Sequence, residues 1–321
     1  MVLEYICSGG FFAKTLPASL ANEGRRMLQA LLNELKLIKQ IQVLLLLDPR
    51  FNDLDLPDNC LVTWADHADF WLNLEEHLSN CDAVLPIAPE QDGLLAMIAT
   101  RIIARHKQLW LSHPQTIDLC TDKLQTIQLL ARFGLPVIKT ERYTDFTWVD
   151  IGPWVIKPID GLGCQGSRIT HQSLKETPVE ADSLIVQPYI EGDAISLSCV
   201  FTAENAYLLS CNRQHVKLKQ QRFELLGCTV NIEHELRHVF EKMIQTIARA
   251  LPELWGYIGI DLIVSPLYGP LILEINPRLT TSFVGLYPAT GIAPHLQLFN
   301  LLNGNEFDFA PKRNISVEVC L

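Results

Sequence analysis

No stretch of this chain is long and apolar enough to cross a bilayer. The longest, residues 41–47, falls far short of the roughly 20 residues a membrane helix needs. Basic residues are in deficit, 26 Lys and Arg against 36 Asp and Glu, for a formal charge of −10. That balance excludes a general nucleic-acid or membrane-surface role, so a phosphate site must be a local cluster of lysine and arginine. The N-terminus carries Glu4 and no basic run, so no secretory leader is expected. The nine cysteines, at 7, 60, 81, 120, 164, 199, 211, 228 and 320, form no CxxC pair. Their odd number and scatter fit reduced thiols in a cytoplasmic protein, most of them small core residues. Internal repeats, low-complexity tracts and long linkers are also missing. With 48% hydrophobic and 19% charged residues over 321 positions, the chain can bury a substantial core. It has room for two domains, or for one large α/β unit with a subdomain.

What is present is an alternation of strand and helix signals. Residues 2–7 read as a strand running into Ser8-Gly9-Gly10, and 19–39 as a helix with Leu20, Met27, Leu28, Leu31, Leu35 and Ile38 near helical spacing. Strands follow over 41–47, stopped by Asp48-Pro49, and over 81–87; a helix follows over 94–105. This pattern predicts a small open α/β domain whose strand-end loops, around Gly9 and Glu90, are places for ligands. A boundary is expected at Ser112-His113-Pro114, giving domains 1–112 and 113–321, with a small subdomain near 136–189. Beyond it come a capped helix over 122–133 ending at Gly134, strands over 154–157, 184–187 and 195–202, and a helix over 233–251.

The most telling segment is 257–278, YIGIDLIVSPLYGPLILEINPR. Two apolar strands flank a Pro/Gly turn, and acids stand where a buried sheet should have none. If the turn is Pro266 to Gly269, the pairing axis falls between Leu267 and Tyr268 and sets Asp261 opposite Glu274. Facing like charges destabilise a sheet unless something neutralises them. Glu274 and Asn276, two apart, share a face. Three oxygen ligands on one sheet face suit Mg²⁺, which takes few carboxylates and shares itself with phosphates; solvated acids on an open face are the alternative.

Lys157-Pro158-Ile159-Asp160-Gly161-Leu162-Gly163-Cys164-Gln165-Gly166 is a strand entering a glycine-rich loop. Such glycines let backbone N–H groups converge on an anion, and the lysine supplies fixed charge. It lacks the Gly-Lys-Ser/Thr of a P-loop, and its lysine precedes the glycines, unlike a Rossmann fingerprint. Arg278, in the same run as Glu274 and Asn276, could stabilise charge on a transferring phosphoryl group. Lys123 opens a helix. A competing motif, His234-Glu235-Leu236-Arg237-His238, matches the HExxH of zinc proteases. On a helix its two histidines would share a face, yet that face turns away from the apolar stripe of Leu236, Val239, Phe240, Met243 and Ile247, toward solvent. A catalytic zinc site instead needs a shielded cleft and a third ligand.

Taken in order, the lysine before a helix, the lysine ahead of a glycine loop, the hinge and the terminal D…ExN triad resemble an ATP-grasp ligase over about residues 113–295. The resemblance implies an α/β ATP-grasp fold, two α+β subdomains sandwiching ATP, behind a small pre-ATP-grasp domain. It implies that Lys123 and Lys157 contact ATP phosphates under a loop bearing Gly161, Gly163 and Gly166. Gln187, Pro188, Tyr189 and Ile190 would form the adenine hinge. Asp261, Glu274 and Asn276 would hold Mg²⁺ or Mn²⁺, with Arg278 and Lys157 as catalytic cations. One departure stands out: Ala194, in Gly192-Asp193-Ala194-Ile195-Ser196, occupies the place of the usual ribose-binding acid.

Short motifs narrow the match. Glu4-Tyr5-Ile6-Cys7-Ser8-Gly9-Gly10, the run from Leu16 to Leu20 with Glu23-Gly24, Ile87-Ala88-Pro89-Glu90 and Asn212-Arg213-Gln214 are similar to the tyramine–L-glutamate ligases of methanofuran biosynthesis and their relatives in methylofuran pathways. That resemblance implies a carboxylate–amine ligase acting through an acyl phosphate on glutamate and tyramine, with Gly9, Gly10, Glu90, Asn212 and Gln214 near the substrates. Its partners would be small-molecule amino acid and amine, without nucleic acid or membrane, and a homodimer is left open. The alternatives are another amino-acid or dipeptide ligase of the same family, a non-catalytic ATP sensor, and the zinc protease.

Overall fold

The computed structural model describes residues 1–12, 14–66, 69–148, 152–172 and 178–321. A first sheet is wholly parallel. Its strands are β1 (Val2–Glu4), β2 (Val43–Leu47), β3 (Cys60–Trp64), β4 (Ala83–Ile87) and β5 (Gln108–Leu109), in the order β3-β2-β1-β4-β5. Strand β2 reads VLLLL because both its faces are covered. Leu45 and Leu47 pack toward helix α1 (Ala18–Leu35), and Leu46 toward α2 (Phe70–Leu78) and α3 (Leu94–Ala104). Because β2 and β4 lie on opposite sides of β1, a crevice opens at the carboxyl ends of β1 and β4.

The strand expected over 2–7 stops at Glu4. The chain turns back there: the Glu4 carboxylate accepts from Cys7 N at 2.7 Å and Tyr5 O from Gly10 N at 2.9 Å. These bonds draw the backbone off the ladder into a buried turn, Ile6–Gly10, with Gly9 at φ 91. The first helix likewise ends at Leu35, short of the expected 39.

Helices α4 (Pro114–Thr121) and α5 (Lys123–Arg132) lead into the second half. Asp122 caps α5 by accepting from Gln125 N at 2.9 Å, and Gly134, at φ 75, follows its end. The second sheet has ten strands among the described residues. They are β6 (Glu141–Arg142), β7 (Trp154–Pro158), β8 (Arg168–Thr170), β9 (Leu184–Pro188), β10 (Asp193–Phe201), β11 (Ala206–Lys219), β12 (Arg222–Val230), β13 (Gly256–Ser265), β14 (Gly269–Asn276) and β15 (Val317–Cys320). They run β14-β13-β10-β11-β12-β8-β7-β9-β6, with β15 on β12.

One face of this sheet is apolar. Ile195, Leu197, Cys199, Ile258, Ile260 and Leu262 pack under α6 (Arg237–Ala250), which buries Phe240, Met243, Ile244 and Ile247. Each such side chain contributes about 1.5–3 kcal/mol by leaving water. The alternate residues, Ser196, Ser198, Tyr257 and Asp261, belong to the other, polar face. Helices α7 (Phe283–Thr290) and α8 (Pro294–Leu302) then carry the chain back onto α1, where Phe283, Leu286 and Leu298 share a core with Leu28 and Leu31.

Helix α6 begins only at Arg237, not at 233. His234 and Glu235 lie ahead of it, His234 Nδ1 accepting from Leu236 N at 3.2 Å, and His238 is exposed. The two histidines therefore share no helical face, and among the described residues no group of three or more His, Cys, Asp or Glu gathers to hold a metal.

Candidate active site

The polar face of the second sheet forms one wall of a cavity of about 470 Å³. Asp261 pairs directly with Glu274, as expected from the sequence, but by a different route. Strand pairing reaches Ser265 with Gly269, so the loop holds only Pro266, Leu267 and Tyr268. A β-bulge then restores the offset, since Leu262 pairs with Ile272 while Asp261 pairs with Glu274. The extra residue, Leu273, also inverts the alternation. Ile272 and Ile275 both enter the core, and Glu274 and Asn276 both reach the cavity. Without the bulge, Glu274 would follow Ile272 into the apolar core.

Two lysines converge on that acid. Lys123, at the start of α5, lies 3.5 Å from Glu274 Oε2, and Lys157, near the end of β7, lies 4.0 Å from the same oxygen. All three are buried. Burial alone would raise the Glu274 pKa, yet the two ammonium groups hold it below its ordinary value. Asp261 is pushed up to about 8, first by burial and then by the facing Glu274. The two carboxyls therefore titrate as a coupled pair, the lysines favouring charge on Glu274 and the facing acids opposing a second charge. Asp261 accepts from Gln214 Nε2 at 3.0 Å and Asn276 Nδ2 at 3.2 Å. Burial pulls the Lys157 pKa down to about 8, against the attraction of Glu274.

Lys123 also shapes the glycine loop. Its Nζ donates to Gly161 O at 2.6 Å, and its backbone N donates to Ile159 O at 3.2 Å. Leu162, Gly163, Cys164 and Gln165 project the loop into the cavity wall. Gly163 and Gly166 take φ of 52 and 71, conformations that a side chain would strain. Asp160 ties the loop to the first half by accepting from Asp92 N at 3.1 Å.

Arg278 lines the cavity just beyond β14. Its Nε donates to Glu90 Oε2 at 2.7 Å, and its Nη1 to Leu279 O at 2.9 Å. Glu90 is thus joined to a residue 188 positions away, and its other oxygen is buried without a hydrogen-bond partner among the described residues.

The remaining expected residues are distributed differently. Gln214 is on the cavity wall, bonded to Asp261. Asn212 lies beneath the wall, fully buried, donating to Ser196 Oγ and Ser198 Oγ and accepting from Ser210 Oγ and Asn231 N. Gly9 and Gly10 pack inside the 6–10 turn; Gly10 borders a separate cavity of about 390 Å³, not this one. Gln187 and Pro188 end β9 and Tyr189 and Ile190 begin its link to β10, all outside the 470 Å³ cavity, with Gln187 donating to Thr140 Oγ1 at 2.8 Å. Glu4, Glu23 and Gly24, which the sequence marks only as parts of the subgroup motifs, also stand on the cavity wall, together with Thr280, Thr281 and Ser282, which it does not mark. Glu4 carried a signal of the same kind as Asp261, an acid inside an apolar run.

Two lysines and an arginine beside two facing carboxylates, under a glycine loop, form a place for a polyphosphate. The ATP-grasp domain model matches residues 120–282, and a pre-ATP-grasp domain model matches 41–117. The chain belongs to the ATP-grasp family. Within it, the chain is an ATP-dependent carboxylate–amine ligase that forms an amide bond. Among its relatives is the tyramine–L-glutamate ligase of Methanocaldococcus fervens, 28% identical over 91% of this chain and 91% of that protein. The enzyme of the same name from Methanocaldococcus jannaschii is 27% identical over 97% of this chain and 92% of that one. A solved ATP-grasp superfamily protein from Archaeoglobus fulgidus shares the fold, with a TM-score of 0.72 at 23% identity, covering 100% of this chain and 98% of that one.

Proposed function

We propose that this ATP-grasp ligase joins L-glutamate to tyramine or a closely similar primary amine, in the assembly of a methanofuran-type cofactor. One observation carries the chemistry: Asp261, Glu274, Asn276 and Arg278 line one cavity, and Lys123 and Lys157, from two further segments, converge on Glu274 in its wall. Nearly full-length likeness to two tyramine–L-glutamate ligases supports the choice of substrates. In this reading Lys123 and Lys157 bind the ATP phosphates beneath the 161–166 loop. The facing oxygens of Asp261 and Glu274, with Asn276 beside them, are hard donors that fit Mg²⁺ or Mn²⁺. A metal held by these residues would supply charge screening of the phosphates.

The glutamate carboxylate attacks the γ-phosphorus, giving an acyl phosphate and ADP. The amine then attacks the acyl carbon, and phosphate leaves as the amide forms. Arg278, kept in place by Glu90, stabilises the oxyanion charge of both steps. Most of the protein's contribution is positioning and charge neutralisation. Nine free cysteines fit a reducing, cytoplasmic setting. The test is ADP release across a panel of amino acid and amine pairs, with the product confirmed by mass. Glutamate plus tyramine should give ADP and the amide only when both are present. Silence with that pair and turnover with another would replace the substrates and keep the ligase.

A further inference from the structure

The crevice at the carboxyl ends of β1 and β4 is the opposite wall of the same cavity, and the chemistry above gives its acid no task. Glu4 closes β1, is only 2% exposed, and lines the cavity. Its Oε2 accepts from Cys7 N at 2.7 Å, and no cation among the described residues pairs with it. A buried carboxylate is ordinarily matched by positive charge. Here burial pushes the carboxyl up to about 7, despite the peptide donors around it.

Space has been left beside it. Gly24 of α1 faces Glu4, and a Cβ there would sit 2.8 Å from Glu4 Oε2. Glu23, the preceding residue, also lines the cavity and accepts from Thr281 Oγ1 at 3.1 Å. Ile6, Leu20, Met27 and Ile87 give this corner an apolar lining. The cavity's two arginines are committed elsewhere, Arg26 to Cys320 O and Arg278 to Glu90. A carboxylate without a cation, set in an apolar corner open to the reaction cavity, is matched to an organic ammonium group.

We propose that Glu4, with Glu23 beside it, seats the primary ammonium group of a substrate, and that Gly24 keeps room for that contact. The inference rests on the ligase reading, in which both the amino acid and the amine carry such a group.

Calorimetric titration of the full chain, loaded with ADP and Mg²⁺, tests it with tyramine, glutamate and their deaminated counterparts 4-ethylphenol and glutarate. The wild type should bind at least one ammonium compound about tenfold tighter than its counterpart. Glu4→Gln should erase that preference and leave ADP affinity within about twofold. Loss confined to tyramine places the amine there; loss confined to glutamate places the amino acid. Gly24→Ala is the second variant, because alanine favours the helix over glycine while its methyl displaces the Glu4 carboxylate. It should weaken the same compound in a protein whose circular dichroism still reports the native fold. A preference that survives in Glu4→Gln, or is absent from the wild type, overturns the proposal. No ADP release from any pair, with the Glu4-dependent preference intact, would instead sink the ligase reading and leave the ammonium site standing.

Discussion

Two buried glutamates line one cavity and titrate in opposite directions. Glu274, on the sheet wall, has Lys123 at 3.5 Å and Lys157 at 4.0 Å, and its pKa lies below the ordinary value. Glu4, on the crevice wall, has no cation partner among the described residues, and burial lifts it to about 7. Both lose almost all contact with solvent, so burial does not distinguish them. The partner does. An acid already matched by two lysines belongs to a finished electrostatic arrangement, whereas one matched only by peptide dipoles is complete when a cation arrives.

The contrast can be broken at either end. Glu274→Ala should have the largest effect, a loss of amide formation on the order of 10³-fold or more, in a protein whose circular dichroism is unchanged. Turnover near the wild-type rate would remove Glu274 from the site.

The next effect is on stability. Glu4 ionises near 4.5 in the unfolded chain and near 7 in the folded one. The native state therefore binds more protons between those values, and its stability from this group declines as pH rises through that window. Glu4→Gln should remove the decline and gain up to roughly 2–3 kcal/mol over the wild type above pH 7. Denaturant melts at pH 5 and 8 measure the difference, and equal gaps at both would refute it. Glu274 has the reverse sign: its contribution is full above its unfolded value and is lost as pH falls through its lowered folded pKa.

The smallest effect sharpens the boundary of the site. Asn212 sits beneath the wall, bonded to Ser196, Ser198, Ser210 and Asn231. Asn212→Ala should cost about 1–3 kcal/mol by stranding those partners, while KM for either substrate stays within about twofold. A large KM change at unchanged stability would move Asn212 into substrate contact.

Much of the sheet wall of the cavity could be read from local pattern. Acids interrupt apolar strands at Asp261 and Glu274, Lys157 precedes a glycine loop, and Asp122 marks the start of the helix that carries Lys123. Each is a conflict or a signature within a few residues. The turn of the hairpin was read one residue too long, and the pairing of Asp261 with Glu274 came out the same only because the bulge at Leu273 compensates. A bulge leaves little local trace, since Leu273 is as apolar as its neighbours. The pentapeptide 234–238 misled in the opposite sense: spacing suggests a shared helical face, but the helix begins too late to create one.

By itself, the sequence determined the alternating strands and helices, the positions of the lysines and the glycine loop, and the anomaly of facing acids in one hairpin. These follow from side-chain period and backbone sterics, which act over a few residues. Only the tertiary structure decided which sheet face received Glu274, that Arg278 would meet Glu90 across 188 residues, and that Glu4 would be buried on the far wall with no cation among the described residues. Such pairings are set by which surfaces bury one another after distant segments close. That closure depends on the whole core and leaves no period in the chain.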